Sequence, residues 1–403
     1  MGKSFDIKNL DWYLISIVMM LIFSGMVVIY SATNAMGSDS MHTFYRQILW
    51  FGIGLVFAVI MYLIPTKILF ALAYVLYTFS VVLLTYVLFQ DTGSSLERWI
   101  NIGGISFQPS EFAKLAVVLA LARFLSQSKI EQNKLKDFLV VLLLIAVPVY
   151  LVKEQPDLGT SLVFLSLIIP MLYWAGIQSF TLFVLISPFV SILASSNKYF
   201  FLLWMLIVVG VLYYSKKTLI VILGLFILNI SVGVMTPYIW NKLEPYQQQR
   251  LLSVLDPSKD PQGSGYQVLQ SLNAIGSGGI SGKGFMKGTQ TQLRFLPEQH
   301  TDFIFSVLGE EFGFIGISII LLLFFLLIVR LITIATRVKN RFDCLIVTGF
   351  ASILLFHVLV NTGMTVGIMP VTGLPLPYLS SGGSFLISTM GMTGLVLNVA
   401  YSK

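Results

Sequence analysis

Two Asp-Pro pairs stand in one polar stretch, LLSVLDPSKDPQGSGYQ, between Leu251 and Gln267: Asp256-Pro257 and Asp260-Pro261. A carboxylate in that setting has two uses. It can open a turn by accepting nearby backbone N–H groups, as Asp before Pro commonly does. It can also act as a general base and take a proton from a hydroxyl, such as that of a sugar. Nothing local separates the two residues, and for each the turn is the commoner use.

Other stretches carry groups able to do chemistry. In FQPSEFAKLA, Ser110 is placed to cap the helix that follows Pro109. Glu111 then lies near the helix start, where the macrodipole favours an anion, and Lys114 shares its face three residues on. In KEQPDLGT, Asp157 is either a helix cap or a substrate ligand. AIGSGGISGKG, with Lys283, can offer backbone N–H groups to a phosphate or serve as a hinge. LRFLPEQHTDF places Arg294, Glu298, His300 and Asp302 just ahead of an apolar run, as a charged helix entry or as part of a site. LPLPYLSSGGS reads as a re-entrant element, irregular backbone of a kind tolerated where it is buried or lines a cavity.

What must position these groups is a bundle of helices in a membrane. The chain has 403 residues, 56% hydrophobic and 11% charged, where a soluble domain is about a quarter charged. Its fold class is therefore all-α, a polytopic helical membrane protein. Twelve apolar segments recur: Trp12–Tyr30, Ile48–Ile64, Ile68–Phe89, Phe112–Leu125, Phe138–Val152, Leu162–Ala175, Phe180–Ala194, Tyr199–Tyr214, Leu219–Met235, Phe303–Ile334, Cys344–Met364 and Phe385–Tyr401. The first reads as a retained helix, because no small-residue cleavage site follows it. One cysteine, Cys344, permits no intramolecular disulfide, and the three histidines lack ligand-like spacing. The net charge of +7 fits topology and anionic lipid, with no nucleic acid.

Charge also orients the bundle. With both termini cytoplasmic, fourteen Lys and Arg fall on the inner side and five on outer short loops and helix ends. The positive-inside rule favours this arrangement. It puts 237–301, a large folded loop, outside the cytoplasm, beside Gln90–Glu111, Lys153–Gly159 and Gly367–Ser384. The chemistry is expected on that outer face.

Taken in order, ERWINIGGISFQPSEFAKLA, QPDLGTS, the Asp-Pro loop, GTQTQLRFLPEQHTDFIFSVLGEEFG and MPVTGLPLPYLSSGGS resemble the SEDS family (shape, elongation, division and sporulation), and its elongation branch above all. The resemblance covers almost the whole chain. It implies a peptidoglycan glycosyltransferase of the bacterial inner membrane that polymerises lipid II and works with a class B penicillin-binding protein and the elongation machinery. It implies that Asp256, in the first Asp-Pro, is the essential aspartate, leaving Asp260 as the turn-former. Glu111 and Lys114 match the charged pair lining the substrate cavity. Arg98, Asp157, Lys283, Arg294, Glu298, His300 and Ser380 fall in motifs near it. The leaving polyprenyl diphosphate would be stabilised by Lys114 and other cations. A divalent cation is compatible with that task, though no closed ligand set stands out. The family pattern has ten spans, so 178–236 is expected to contain a two-helix insertion. The alternative is a flippase for the same lipid, which would need polar groups reachable from both faces.

Overall fold

The computed structural model describes residues 10–35, 41–89, 98–102, 105–128, 135–215, 217–242 and 263–401, with Gln248, Leu252, Asp256, Pro257 and Asp260 in addition. The inner-side charges Lys3, Lys8, Lys129, Lys134, Lys216 and Lys403 and the loop residues 90–97 lie outside the described residues.

Every apolar segment becomes helix. The first five are α1 (Trp12–Ala35), α2 (Met41–Leu63), α3 (Thr66–Leu88), α4 (Pro109–Gln127) and α5 (Leu135–Glu154). Then come α6 (Leu158–Ser166) and α7 (Ile168–Trp174), two halves of one short span, and α8 (Ser179–Ala194), α9 (Lys198–Tyr214) and α10 (Leu219–Asn241). Among the described residues of the large loop are α11 (Ser264–Gly278) and the single turn α12 (Thr289–Gln292). The chain ends with α13 (Ile304–Arg337), α14 (Arg341–Thr365) and α15 (Gly383–Tyr401). Seven of these helices are long and apolar enough to cross a membrane by length and composition. The protein is a multi-pass membrane protein. A short antiparallel hairpin, β1 (Ile100–Ile102) and β2 (Ile105–Phe107), pairs Ile100 with Phe107 just before α4.

Burial separates the centre of the bundle from its rim. In α14 and α15, 72% and 78% of the apolar window is buried inside the protein, against 22% for α2 and α3. With α4, the two helices form the core that carries the site, while α2 and α3 keep broad apolar faces for lipid. Helices α8, α9 and α10 pack chiefly on one another and join the rest along α7. A polar clasp holds them together. Asn229 donates to Ser187 Oγ at 3.1 Å, Ser191 donates to Asn229 Oδ1 at 2.7 Å, and Trp204 donates to Ser191 Oγ at 2.9 Å. Without water nearby, such bonds between helices have no competing solvent.

At the opposite end from the hairpin, Asp11 accepts the N–H of Leu14 and pairs with Arg330 at 2.7 Å, tying the start of α1 to the far half of α13. Arg123, near the end of α4, donates to Ala71 O at 2.8 Å and lies over the Tyr74 ring at 4.4 Å.

Two local expectations change. Phe303–Ile334 is not one straight span, because α13 breaks at Gly313, where φ is +63°. The glycine run docks into that break. Lys283 N and Gly284 N donate to Glu310 O and Glu311 O, both at 3.0 Å, and Phe314 N and Ile315 N donate back to Gly279 O and Ile280 O. A Cβ on Gly313 would stand 2.3 Å from Gly282 N. Second, Ser110 does not cap α4. The helix begins at Pro109 with Gln108 at the cap position, and Ser110 Oγ is buried without a partner among the described residues.

Candidate active site

One polar cavity of about 340 Å³ opens at the end of the bundle where α2, α4 and α15 begin. Its wall combines three carboxylates, Glu111, Asp157 and Asp302, with two guanidinium groups, Arg46 and Arg98. Trp50, Trp99 and Phe385 supply aromatic faces.

Helix α4 brings the buried charge. Pro109 starts the helix, so Glu111 falls in its first turn, where the dipole favours a carboxylate. Lys114 meets Glu111 at 2.7 Å, and both side chains are almost fully buried. The spacing therefore gives the ion pair it suggests. Lys114 itself does not line the cavity. It sits beneath the floor, 5.0 Å from the centre of the Phe385 ring, with His357 Nε2 at 3.3 Å from its Nζ.

Asp157 plays the capping role and faces the cavity as well. Its carboxylate accepts the N–H of Thr160 at 3.0 Å and the Thr160 hydroxyl at 2.9 Å, which starts α6. Arg98 supports the same corner from behind, donating from Nε to Gln155 O at 2.8 Å and from its Nη2 to Pro156 O.

The LPLPYLSSGGS segment forms the floor and is buried as irregular backbone. It packs on α1 so closely that a Cβ on Gly25 would stand 2.5 Å from Tyr378 O. Ser380 does not face the cavity. It donates to Thr301 O at 2.6 Å and accepts from Leu376 N at 2.8 Å, stapling the segment to the HTDF turn. Gln47 of α2 accepts from Gly382 N at 3.1 Å. Asn361 of α14 donates to Leu374 O at 2.7 Å and Asp302 O at 2.9 Å. These bonds supply the donors and acceptors that an irregular segment leaves open.

The remaining sequence candidates stand elsewhere. Lys283 pairs with Glu310 at 2.8 Å and donates to Thr289, holding the loop on α13. Glu310 also accepts from Gln290 N, Thr291 N and the Thr291 hydroxyl. The glycine run is thus a docking strap. Arg294 donates to Ala35 O at 3.0 Å. Glu298 is exposed and accepts from the Thr301 hydroxyl. His300 is half-buried, its carbonyl accepting from Ser381 N, and burial lowers its imidazole pKa while Glu298 opposes that. Asp260 is the turn-former: its carboxylate accepts from Gly263 N at 3.0 Å and Gly265 N at 3.2 Å. Asp256 is half-buried and its N–H donates to Leu252 O at 3.0 Å, but it does not line the cavity.

Asp302, read from the sequence as part of a charged helix entry or of a site, lines the cavity, and so does Arg46, which the sequence did not single out. Burial, with Glu298 and Asp157 nearby, pushes the Asp302 carboxyl up to about 6. The sequence signal for Asp302 was its place in the HTDF turn. For Arg46 it was a lone cation near the outer start of a span, which topology alone accounts for.

No group of three or more His, Cys, Asp or Glu among the described residues has the arrangement of a metal site.

Comparison with known proteins places this architecture. The FtsW/RodA/SpoVE description, cell cycle protein, matches residues 11–203 and 182–403. The chain is 39% identical to the Escherichia coli K12 peptidoglycan glycosyltransferase MrdB over 397 residues, covering 98% of this chain and 94% of that one. It is 33% identical to the Treponema pallidum peptidoglycan glycosyltransferase RodA over 430 residues, covering 98% of each. Among solved structures it resembles a chain of a peptidoglycan synthase complex that coordinates polymerization and crosslinking, with TM-score 0.72, 32% identity and 98% coverage of both. It also resembles the rod shape-determining protein RodA of Thermus thermophilus, with TM-score 0.63, 30% identity and coverage of 97% and 96%. Continuous similarity over nearly the whole chain, in sequence and in fold, shows that this protein belongs to the FtsW/RodA/SpoVE family, the SEDS proteins.

Proposed function

We propose that this chain is a peptidoglycan glycosyltransferase that polymerises lipid II into glycan strands at the outer face of the bacterial cytoplasmic membrane, with both termini inside. The observation that carries the reading is the cavity, which joins carboxylates, guanidinium groups and aromatic faces at one end of a lipid-embedded bundle. A lipid-linked disaccharide needs all three: hydroxyl handling, diphosphate binding and stacking surfaces for sugar rings. Below Lys114 the inner course of α4 closes the path, because Leu115 through Ala122 are apolar and buried. That favours polymerisation at one face over passage of the lipid to the other.

In the proposed reaction Asp256 takes the proton of the acceptor sugar's C4 hydroxyl. The freed oxygen forms a bond to the donor's anomeric carbon with inversion. The bond from that carbon to the phosphate oxygen breaks, and its electron pair leaves with polyprenyl diphosphate. Asp256 is not among the residues that line the cavity. Of the cations, Lys114, Lys283, Arg98 and Arg294 are engaged by protein groups. Arg46 lines the cavity, is exposed, and is assigned to the departing diphosphate, for which a guanidinium's fork geometry is suited.

The partner is a class B penicillin-binding protein, supported by the similarity to a chain of a synthase complex. Residues 178–236 hold the two-helix insertion, supported by the way α8, α9 and α10 pack mainly on one another. The function is tested with purified protein, its transpeptidase partner and labelled lipid II in the presence of moenomycin, which silences the other glycosyltransferase class. Polymer that resists the drug is expected. Its absence from an active-site-intact preparation would refute the reading.

A further inference from the structure

His357 lies in the apolar span α14, and none of its side chain is exposed. Its two ring nitrogens are both committed. Nε2 lies 3.3 Å from Lys114 Nζ, and Nδ1 lies 3.0 Å from Pro375 O. A lysine ammonium only donates hydrogen bonds and a carbonyl oxygen only accepts them. Nε2 must therefore be the bare acceptor and Nδ1 must carry the hydrogen. The ring is neutral and held in one tautomer. It also packs on Phe385, with ring centres 4.9 Å apart.

The arrangement links three elements of the cavity through one imidazole. Lys114 holds Glu111, which lines the cavity from α4. Pro375 and Phe385 line it from the floor segment and α15. One turn along α14, Asn361 fixes the backbone of Leu374 and Asp302. The same face of α14 thus sets the position of the floor segment, of the HTDF turn and, through Lys114, of the Glu111 carboxylate.

We propose that His357 is a positioning residue for glycosyl transfer: through its Nε2 acceptor it fixes the Lys114 ammonium, and through Lys114 it aims Glu111 into the cavity. It touches no substrate itself. A buried ammonium with one acceptor removed will seek another, and Glu111 will turn with it. Displacement of a group from its productive geometry by an ångström is costly to rate.

The inference rests on the cavity being the transfer site, so the test has one arm that needs no reaction. Three variants separate acceptor from packing. In His357→Gln the amide oxygen reaches the position of Nε2. In His357→Asn the shorter amide reaches only the Nδ1 side. His357→Phe keeps the ring and loses both nitrogens. Lipid II polymerisation is measured for each with the partner present, alongside thermal unfolding in detergent. The expectation is that Gln stays within a few-fold of wild type. Asn and Phe should lose about tenfold or more in kcat, with KM changed by less than about twofold. If folded Asn runs at the rate of Gln, or if Gln falls as far as Asn, the acceptor role is wrong. The second arm is a double-mutant cycle in unfolding temperature between His357→Gln, His357→Asn and Lys114→Met. Asn should lower the midpoint when Lys114 is present and much less in Lys114→Met, while Gln should behave alike in both. Additive effects of Asn and Lys114→Met would overturn the proposal even where no polymerisation is detected. An inactive wild type with the expected coupling would instead count against the transfer reading alone.

Discussion

Glu111 and Lys114 meet at 2.7 Å one turn apart on α4, with side-chain exposure of only 5% and 1%. A charge pair so buried holds together only while both partners are present. Removing one leaves an uncompensated charge, at a cost of about 3–5 kcal/mol, whereas removing both leaves none. Glu111→Gln and Lys114→Met should each lower the unfolding midpoint in detergent strongly. The double variant should lie above the sum of the two losses and still form no polymer, because Glu111 is lost from the cavity. The midpoints and the polymer assay check both halves.

Gly313 and Gly282 set a second expectation. With φ at +63° and a Cβ 2.3 Å from Gly282 N, Gly313→Ala is strained by its own backbone and would push the strap off α13. The strain alone is of order 1–3 kcal/mol. Limited proteolysis should show cleavage within 263–300 in Gly313→Ala and protection in wild type. Equal protection would mean that the docking tolerates a side chain.

Asp302 predicts a pH dependence of stability. Its carboxyl is raised to about 6 in the folded protein, from the ordinary carboxyl value of 3.8. The folded state binds the proton more tightly, so its contribution is fully present below the unfolded value and is lost as pH rises through about 6. Asp302→Asn should therefore unfold at higher temperature than wild type at pH 7.5 and at about the same temperature near pH 4. A variant equal to wild type at both pH values would show that Asp302 pays no desolvation cost. The gain in stability should come with a loss of activity, as for other buried site carboxylates.

Among the described residues Arg46 forms no ion pair, so its guanidinium stands in the cavity wall with none to give up there. Arg46→Ala should weaken inhibition by added polyprenyl diphosphate and slow polymerisation by about tenfold to a hundredfold. Arg46→Lys should recover only part, since an ammonium lacks the planar fork. Product-inhibition constants measure this directly.

Much of this was legible in the sequence. Hydropathy alone located every helix that crosses or enters the bundle, because each carries its own apolar run. The spacing of Glu111 and Lys114 gave their pairing, since i,i+3 neighbours share a helix face. Asp157 and Asp260 were readable as caps and turns for the same reason: their partners lie within five residues. What stayed hidden depends on partners far along the chain. The break at Gly313 is silent in hydropathy, because apolar residues continue on both sides. The glycine run read as a phosphate cradle or, more commonly, a hinge; its docking role depends on the Glu310 and Glu311 carbonyls, 27 residues on, which accept from Lys283 N and Gly284 N. His357 meets Lys114 across 243 residues, and no local pattern announces such a contact. The choice of Asp256 over Asp260 came from family resemblance, and Asp260's turn bonds leave that choice standing.

The most direct test of the account is polymerisation of labelled lipid II by purified Asp256→Asn beside wild type, with the transpeptidase partner and moenomycin present. Unfolding midpoints and partner binding verify that the variant is intact. The account predicts glycan strands from wild type and none from a folded Asp256→Asn that still binds its partner. Strands of normal length from that variant would contradict it.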